Sequence, residues 1–164
     1  MLEYYAPAET DMSQKEHPEG FDEFNEDARR VLFYCRQAVA DFGGMAITPE
    51  HLLLGLLQAS PDVVGRFLGS PDSIDIVTQQ VRAKVSTGRR VPTSVDLPLS
   101  AETERVLRKA VDEAGADLSS TVRPEHILLA LLEYDDGPAI DELRTHGVIE
   151  ADIKNYLSRL NRNP

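Results

Sequence analysis

The segment Thr48-Pro49-Glu50-His51-Leu52-Leu53-Leu54-Gly55-Leu56-Leu57 occurs twice in this chain, and its second copy, 75 positions later, is Arg123-Pro124-Glu125-His126-Ile127-Leu128-Leu129-Ala130-Leu131-Leu132. The shift of 75 needs no gap and relates further apolar positions. It pairs Val31-Leu32 with Val106-Leu107, Ile47 with Val122, Leu68 with Leu143 and Ile74 with Ile149. One register over so many apolar positions indicates an internal duplication, which predicts two copies of one structural unit.

The composition is typical of a globular protein with a core of its own. The chain has 164 residues, of which 41% are hydrophobic, and a chain of this size can bury roughly 70% of its unfolded surface. Its single cysteine, Cys35, cannot form an internal disulfide, which favours a cytoplasmic location. No apolar run is long enough to cross a membrane. Cys35 falls in the apolar stripe of a helix, so we expect a buried structural thiol.

The net charge of −11 is concentrated at the start of the chain. Residues 1–27 contain nine acids and one base. Because no broad basic surface is expected, nucleic acid is not a predicted partner. Residues 1–20 are polar and show no period, so they are predicted to be a disordered acidic leader. Tyr4 and Tyr5 within it are either an anchor or part of a solvated tail.

Each copy is predicted to fold into four helices, giving an all-α protein of eight helices with a pseudo-twofold duplication. Asn25 is a good N-cap for the first helix, which Gly43-Gly44 ends. Thr48 caps the second helix, and Arg123 replaces it in the second copy, which predicts a loss of about 1 kcal/mol there. The third helix is predicted to start at Ser60-Pro61. The remaining helices are predicted over 73–85, 100–114, 124–133, 138–145 and 150–160. The predicted domain, 21–162, divides into repeat one (21–86), a linker (87–98) and repeat two (99–162).

The pairs Glu50-His51 and Glu125-His126 are the only groups that suggest catalysis or metal binding. Adjacent residues on a helix point about 100° apart, and the spacing H-E-x-x-H of zinc helices is absent. We therefore expect each histidine to pack or cap near the start of its helix. The chain also lacks a phosphate-binding glycine loop, a G-x-S-x-G turn and a C-x-x-C pair. No catalytic residue, metal or cofactor is predicted, and the chain is not expected to be an enzyme.

The duplicated pattern resembles the N-terminal repeat domain of Clp unfoldases, especially of the ClpC type. The resemblance covers about residues 21–160 and rests on Phe21, Phe24, Asn25, Ala28, Val31-Leu32, residues 49–57, Val64, Phe67 and Leu68. In such unfoldases this domain precedes two ATPase modules and delivers substrates and adaptors to them. The acidic leader with its tyrosines favours a stand-alone protein, and with the resemblance it predicts an accessory or decoy of a Clp protease, whose partners are Clp substrates, adaptors or a ClpC-type unfoldase. Two alternatives are a substrate-receiving domain excised from an unfoldase, and a regulatory protein that acts through its acidic leader.

The resemblance implies two phosphoarginine sites, one in each repeat. Helix N-termini offer amide donors to a phosphate, and a carboxylate grips a guanidinium through paired bonds. The matching positions are Asn25 with Glu50, and Ser100 with Glu125. The family usually has arginine two positions after the cap, whereas this chain has Asp27 and Glu102, and Glu104 stands where lysine is common. These acids are expected to weaken phosphate binding about tenfold to a hundredfold.

The resemblance also implies an apolar surface near the pseudo-twofold axis, which in ClpC-type domains receives adaptors and cyclic peptide antibiotics. The positions in this chain are Phe21, Phe24, Leu97, Leu99 and Val111. The alternative is that Phe21 and Phe24 close the entry of the first helix as hydrophobic staples.

Overall fold

The computed structural model describes residues 21–70, 72–85, 92, 97–119, 121–134 and 137–162. The predicted leader 1–20 and most of the linker lie outside this part of the chain. Within it, a short 3-10 turn, Phe21–Glu23, precedes eight α-helices and no strand is present, which confirms the all-α fold. The helices are α1 (Glu26–Phe42), α2 (Pro49–Ala59), α3 (Pro61–Phe67), α4 (Ser73–Val85), α5 (Ala101–Ala116), α6 (Pro124–Tyr134), α7 (Pro138–Thr145) and α8 (Glu150–Arg162).

The leading helix of each repeat begins at the predicted cap. Asn25 Oδ1 accepts a hydrogen bond from the Ala28 amide at 2.8 Å, and Ser100 Oγ accepts one from the Thr103 amide at 3.1 Å. Gly43 follows α1 with φ = +91°, a conformation that glycine adopts without strain. The Asn25 side chain therefore sets the start of α1, and the backbone conformation of Gly43 sets its end.

Both histidines cap the helix to which they belong, as predicted. His51 Nδ1 accepts from the Thr48 amide at 3.1 Å, and His126 Nδ1 accepts from the Arg123 amide at 2.9 Å. In the first copy Thr48 Oγ1 returns the bond by accepting from the His51 amide at 3.4 Å, the reciprocal arrangement of a capping box. Arg123 cannot return it, so only half of the box is present in the second copy, and the predicted stability difference remains a prediction.

The short segments that precede the helices of one repeat form backbone hydrogen bonds with those of the other repeat. In one junction Asn25 N donates to Val122 O at 2.9 Å, and Val122 N donates to Glu23 O at 2.7 Å. In the other, Ser100 N donates to Ile47 O at 3.0 Å, and Ile47 N donates to Pro98 O at 2.9 Å. The shift of 75 converts each junction into the other. The segment before α1 thus pairs with the segment before α6, and the segment before α5 pairs with the segment before α2.

The core is continuous between the repeats because α2 and α6 pack against each other and against both leading helices. Every residue of α2 from Pro49 to Leu57 except the half-buried Glu50 is buried, and in α6 every residue from Pro124 to Leu132 is buried. Cys35 is buried where α1 faces α2, and burial raises the pKa of its thiol far above the usual range. The prediction of a structural cysteine is confirmed.

The ungapped shift of 75 does not hold to the end of the repeats. In the second half of each repeat the buried side chains match at a shift of 76, since Val64, Phe67, Val77 and Val81 correspond to Ile140, Leu143, Ile153 and Leu157. Ile149, which the shift of 75 aligned with Ile74, is exposed. One extra residue between α6 and α7 therefore changes the register, and the sequence match of Leu68 with Leu143 was wrong as a structural equivalence.

Candidate functional site

A polar cleft of about 300 Å³ lies at the junction between the start of α1 and the start of α6. Asn25 lines it from repeat one and Glu125 lines it from repeat two, together with the first turns of α3. The within-repeat pairing of Asn25 with Glu50 is therefore wrong, because the junctions between the repeats place the cap of one repeat beside the glutamate of the other. The full lining is Asn25, Asp27, Arg30, Ala59, Ser60, Asp62, Val63, Arg66, Arg123, Pro124, Glu125 and Tyr156.

Glu125 is the most unusual side chain of this cleft. It is only 7% exposed, yet it makes no hydrogen bond or ion pair with any residue in the described ranges. An acidic side chain is seldom buried without a partner, because desolvation of a carboxylate is costly. A carboxylate that faces a cleft in this state is suited to a cationic ligand with paired donors, such as a guanidinium.

Three arginines surround the same cleft. Arg30 is paired with Asp27 at 3.3 Å and with Glu26 at 3.8 Å on the same helix. Arg66 lies over the ring of Tyr156, 4.4 Å from its centroid. Arg123 forms no hydrogen bond or ion pair through its side chain with the described residues. The cleft therefore combines a carboxylate for a cation with guanidinium groups for an anion.

The other junction holds the remaining predicted site residues. Ser100 lies beside the start of α2 because its amide donates to Ile47 O. Glu50 Oε1 lies 2.9 Å from the place that a Cβ atom at Gly137 would occupy, so this carboxylate abuts the loop before α7. Arg105 lies over the ring of Tyr134 at 5.7 Å. The predicted pairing of Ser100 with Glu125 is therefore wrong, because Glu125 lines the Asn25 cleft and the start of α5 lies beside the start of α2, the helix that carries Glu50.

The predicted apolar surface is only partly exposed. Phe24 is 2% exposed and belongs to the core, because the junction with Val122 draws it between the repeats. Its assignment to a docking surface is wrong. Leu97, Leu99 and Val111 are half-buried against the core, and their role in binding stays a prediction. The Phe21 side chain lies outside what the structure describes.

A smaller cleft of about 170 Å³ occurs in repeat one between α1, α2 and α4. Ala38 and Gln58 line it, and repeat two has Glu113 and Glu133 at these positions. Burial raises the pKa of the Glu113 carboxyl, and the hydrogen bond and negative charge of Glu133 raise it further. Lys109 bridges the two acids at 3.5 and 3.2 Å. None of the predicted site residues lines this smaller cleft.

Asp117 is the partner of His126, which is fully buried. The two side chains are joined by a bond of 2.7 Å from His126 Nε2 to Asp117 Oδ2. Burial opposes ionisation of Asp117, but hydrogen bonds from Ser119 and His126 outweigh it and lower the pKa of the carboxyl. Because the other ring nitrogen caps α6, this pair stabilises the fold.

The residues within the described ranges include no group of three or more His, Cys, Asp and Glu side chains placed to hold a metal ion. No helix in those ranges has the length and hydropathy that crossing a bilayer requires.

Solved structures with this arrangement of helices define the class of the protein. The N-terminal domain of the chaperone ClpD from Arabidopsis thaliana matches with a TM-score of 0.63 and 27% identity, over 89% of this chain and 96% of that one. The N-domain of ClpV from Vibrio cholerae has the same fold, with a TM-score of 0.69, 18% identity and coverage of 87% of each chain. The fold is that of a Clp N-terminal domain.

The chain belongs to the Clp repeat (R) N-terminal domain family, whose profile matches residues 23–146. Chloroplastic ClpD of Arabidopsis thaliana is 30% identical over 130 residues, which cover 73% of this chain and 14% of that protein. The uncharacterized protein Rv2667 of Mycobacterium tuberculosis is 32% identical over 146 residues, which cover 87% of this chain and 56% of that protein. The chain thus spans less than two thirds of either relative.

Three residues of the site were not predicted from the sequence: Arg66, Asp62 and Tyr156. Arg123 was predicted only as the loss of a helix cap. The difference between Thr48 and Arg123 in otherwise matching segments was the signal that could have drawn attention to Arg123. Arg66 lies on α3 without a motif around it, so no sequence pattern pointed to it.

Proposed function

We propose that this chain is a non-enzymatic binding module of the Clp protease system, which recognises substrates or adaptors through arginine-type side chains, with phosphoarginine as the preferred form. Membership in the Clp N-domain family supports the general role. The observation that carries the specific proposal is Glu125, a buried carboxylate without a partner among the described residues, facing a cleft beside the start of a helix.

The two halves of the ligand would use different parts of the cleft. The guanidinium would form paired, charge-assisted bonds with the Glu125 carboxylate. The phosphate would lie near the amide groups at the start of α1, next to the Asn25 cap, where a helix N-terminus favours an anion. Asp27 lies in the same turn and opposes the phosphate, so the affinity is expected to be lower than in a cleft without this acid.

As part of the same proposal, the chain acts as an accessory or decoy that engages Clp substrates, adaptors or a ClpC-type unfoldase in the cytoplasm. The half-buried residues Leu97, Leu99 and Val111 are the proposed contacts for adaptors or cyclic peptide antibiotics. Their position against the core limits this surface to a shallow patch.

Titration calorimetry with free phosphoarginine tests the proposal. Glu125→Gln keeps the size of the side chain but removes its charge, and a lost hydrogen bond to a charged group costs about 1.5–3 kcal/mol. We therefore expect binding to weaken roughly tenfold to a hundredfold. Asp75→Asn is the matched control, because Asp75 is exposed in the first turn of α4 and lies outside the cleft. Absence of heat at millimolar phosphoarginine, or equal binding by Glu125→Gln, would contradict the proposal.

A further inference from the structure

We infer that the two junctions are not equivalent, and that this chain binds a single phosphoarginine-like zwitterion, at the Asn25–Glu125 cleft, because Arg123 supplies the positive charge for its anionic end. The inference rests on the proposed function and makes it more specific. It assigns Arg123 as the residue that determines specificity for the phosphorylated form.

Both junctions carry an acidic residue that disfavours a bound phosphate. Asp27 lies in the first turn of α1 and Glu102 lies in the first turn of α5. Each acid stands two positions after the capping residue and brings negative charge to the end of the helix that would receive a phosphate. Without a nearby base, both sites would favour an unmodified cation over a zwitterion.

Among the described residues, the Asn25–Glu125 cleft is the one where arginines offset this charge. Arg123 enters it from the opposite repeat, immediately before α6, and its guanidinium is not engaged by the described residues. Arg66 adds a second guanidinium from α3, held in place by the ring of Tyr156 at 4.4 Å. With Arg30, the cleft has three arginines to balance Asp27, Asp62 and Glu125.

At the Ser100–Glu50 junction, the described residues at the positions of Arg123 and Arg66 are not basic. Thr48 occupies the position of Arg123, and its hydroxyl is already bound to the His51 ring at 2.8 Å. Where α3 carries Arg66, the matching turn of α7 carries two acids, Asp141 and Glu142. Arg105 is the one base that corresponds to the cleft arginines, and it lies over the ring of Tyr134.

The cap and the charge at this position are alternatives. Thr48 gives the first copy a complete capping box, whereas Arg123 leaves the second copy with the histidine half of it. Arg123→Thr would therefore restore the cap while removing the cleft charge. We expect the thermal midpoint of this variant to equal or exceed that of the wild type. With such a midpoint, a loss of binding cannot be ascribed to unfolding.

Calorimetry of the whole chain with phosphoarginine and with arginine as separate probes tests the inference. The expected stoichiometry for the wild type is one phosphoarginine per chain. Arg123→Thr is expected to weaken phosphoarginine binding at least about tenfold, and arginine binding much less, since the Glu125 contact remains. Thr48→Arg is expected to raise the stoichiometry toward two. Arg108→Thr removes an exposed charge of α5 that pairs with Glu104 and serves as the control.

The outcomes separate this inference from the proposed function. Two equal sites in the wild type, unchanged phosphoarginine binding by Arg123→Thr, or no second site in folded Thr48→Arg would each overturn the role of Arg123 while the proposed function stands. Absence of phosphoarginine binding to the wild type would overturn both. Selective loss of phosphoarginine binding in Arg123→Thr, with arginine binding kept, would support the inference.

Discussion

Gly55 allows α1 and α2 to approach closely, and its replacement by alanine is expected to destabilise the protein. A methyl carbon at this position would lie 2.5 Å from Val31 O, 2.7 Å from Cys35 Sγ and 2.8 Å from Cys35 N. Two of these atoms belong to the backbone of α1, so a side-chain rotation cannot relieve the clash. In α6 the equivalent residue is Ala130, so the second repeat accommodates a methyl group at this position.

The expected magnitude follows from the space required. An ordinary contact between a carbon and an oxygen atom is about 3.5 Å, so α1 and α2 would have to separate by up to about 1 Å. A gap of this size forfeits a quarter to a half of the dispersion energy of each affected contact, and overpacking of a core typically costs about 1–3 kcal/mol. Replacing glycine by alanine within a helix stabilises the folded state by about 1 kcal/mol through helix propensity. Because the obstacle is backbone, we expect Gly55→Ala to lose about 2 kcal/mol net, or about 4–8 °C in thermal midpoint.

Urea denaturation followed by circular dichroism at the helix band measures this change. Gly115→Ala is the matched control, because Gly115 also lies within a helix but has no neighbour within 4 Å of an added Cβ. The control is expected to gain about 0.5–1 kcal/mol from helix propensity alone. If Gly55→Ala proved as stable as Gly115→Ala, the close approach of α1 and α2 at this point would be refuted.

Three further perturbations test other parts of the structure. Leu118 is 90% exposed and has φ = +62°, a conformation that is strained for leucine. Leu118→Gly should therefore raise the free energy of unfolding by about 1 kcal/mol in a urea titration. A lower free energy of unfolding would mean that the Leu118 side chain packs. Burial lowers the pKa of His51, although its bond to the Gly43 carbonyl opposes the shift. The unfolded chain therefore takes up the proton first, so stability should fall as the pH drops below about 6.5 and level off below the folded pKa. His51→Gln keeps a capping acceptor and should flatten this dependence; an equally steep profile in the variant would assign the effect to other groups. Val122→Pro removes the amide that donates to Glu23 O at 2.7 Å. The protein should lose about 3 kcal/mol of stability, and amide hydrogen exchange should accelerate together in α1 and α6. Acceleration in α6 alone would mean that the repeats are not coupled at this junction.

Several features were predictable because they depend on residues close together in the chain. Helix starts at Asn25, Thr48 and Ser100 follow from side chains that bond to amides three positions on. Adjacent Glu and His cannot share one face of a helix, which argued against a joint catalytic or metal site. The remaining role for His51, close to the start of its helix, was to pack or cap there. The duplication was visible because matching apolar stripes recur at a fixed interval, and it correctly predicted two similar four-helix units.

The site could not be derived in this way, because it forms between residues that are distant in sequence. Asn25 meets Val122 and Glu125 only through the pairing of these segments between the repeats, and a repeat pattern alone is equally compatible with pairing inside each copy. The same pairing draws Phe24 into the core, although its place before a helix suggested an exposed anchor. The sequence by itself determined the helices, their caps and the doubling of the unit. Only the tertiary structure decided which carboxylate faces which helix start, and that Arg123 shares a cleft with Glu125, because these depend on how two similar units dock.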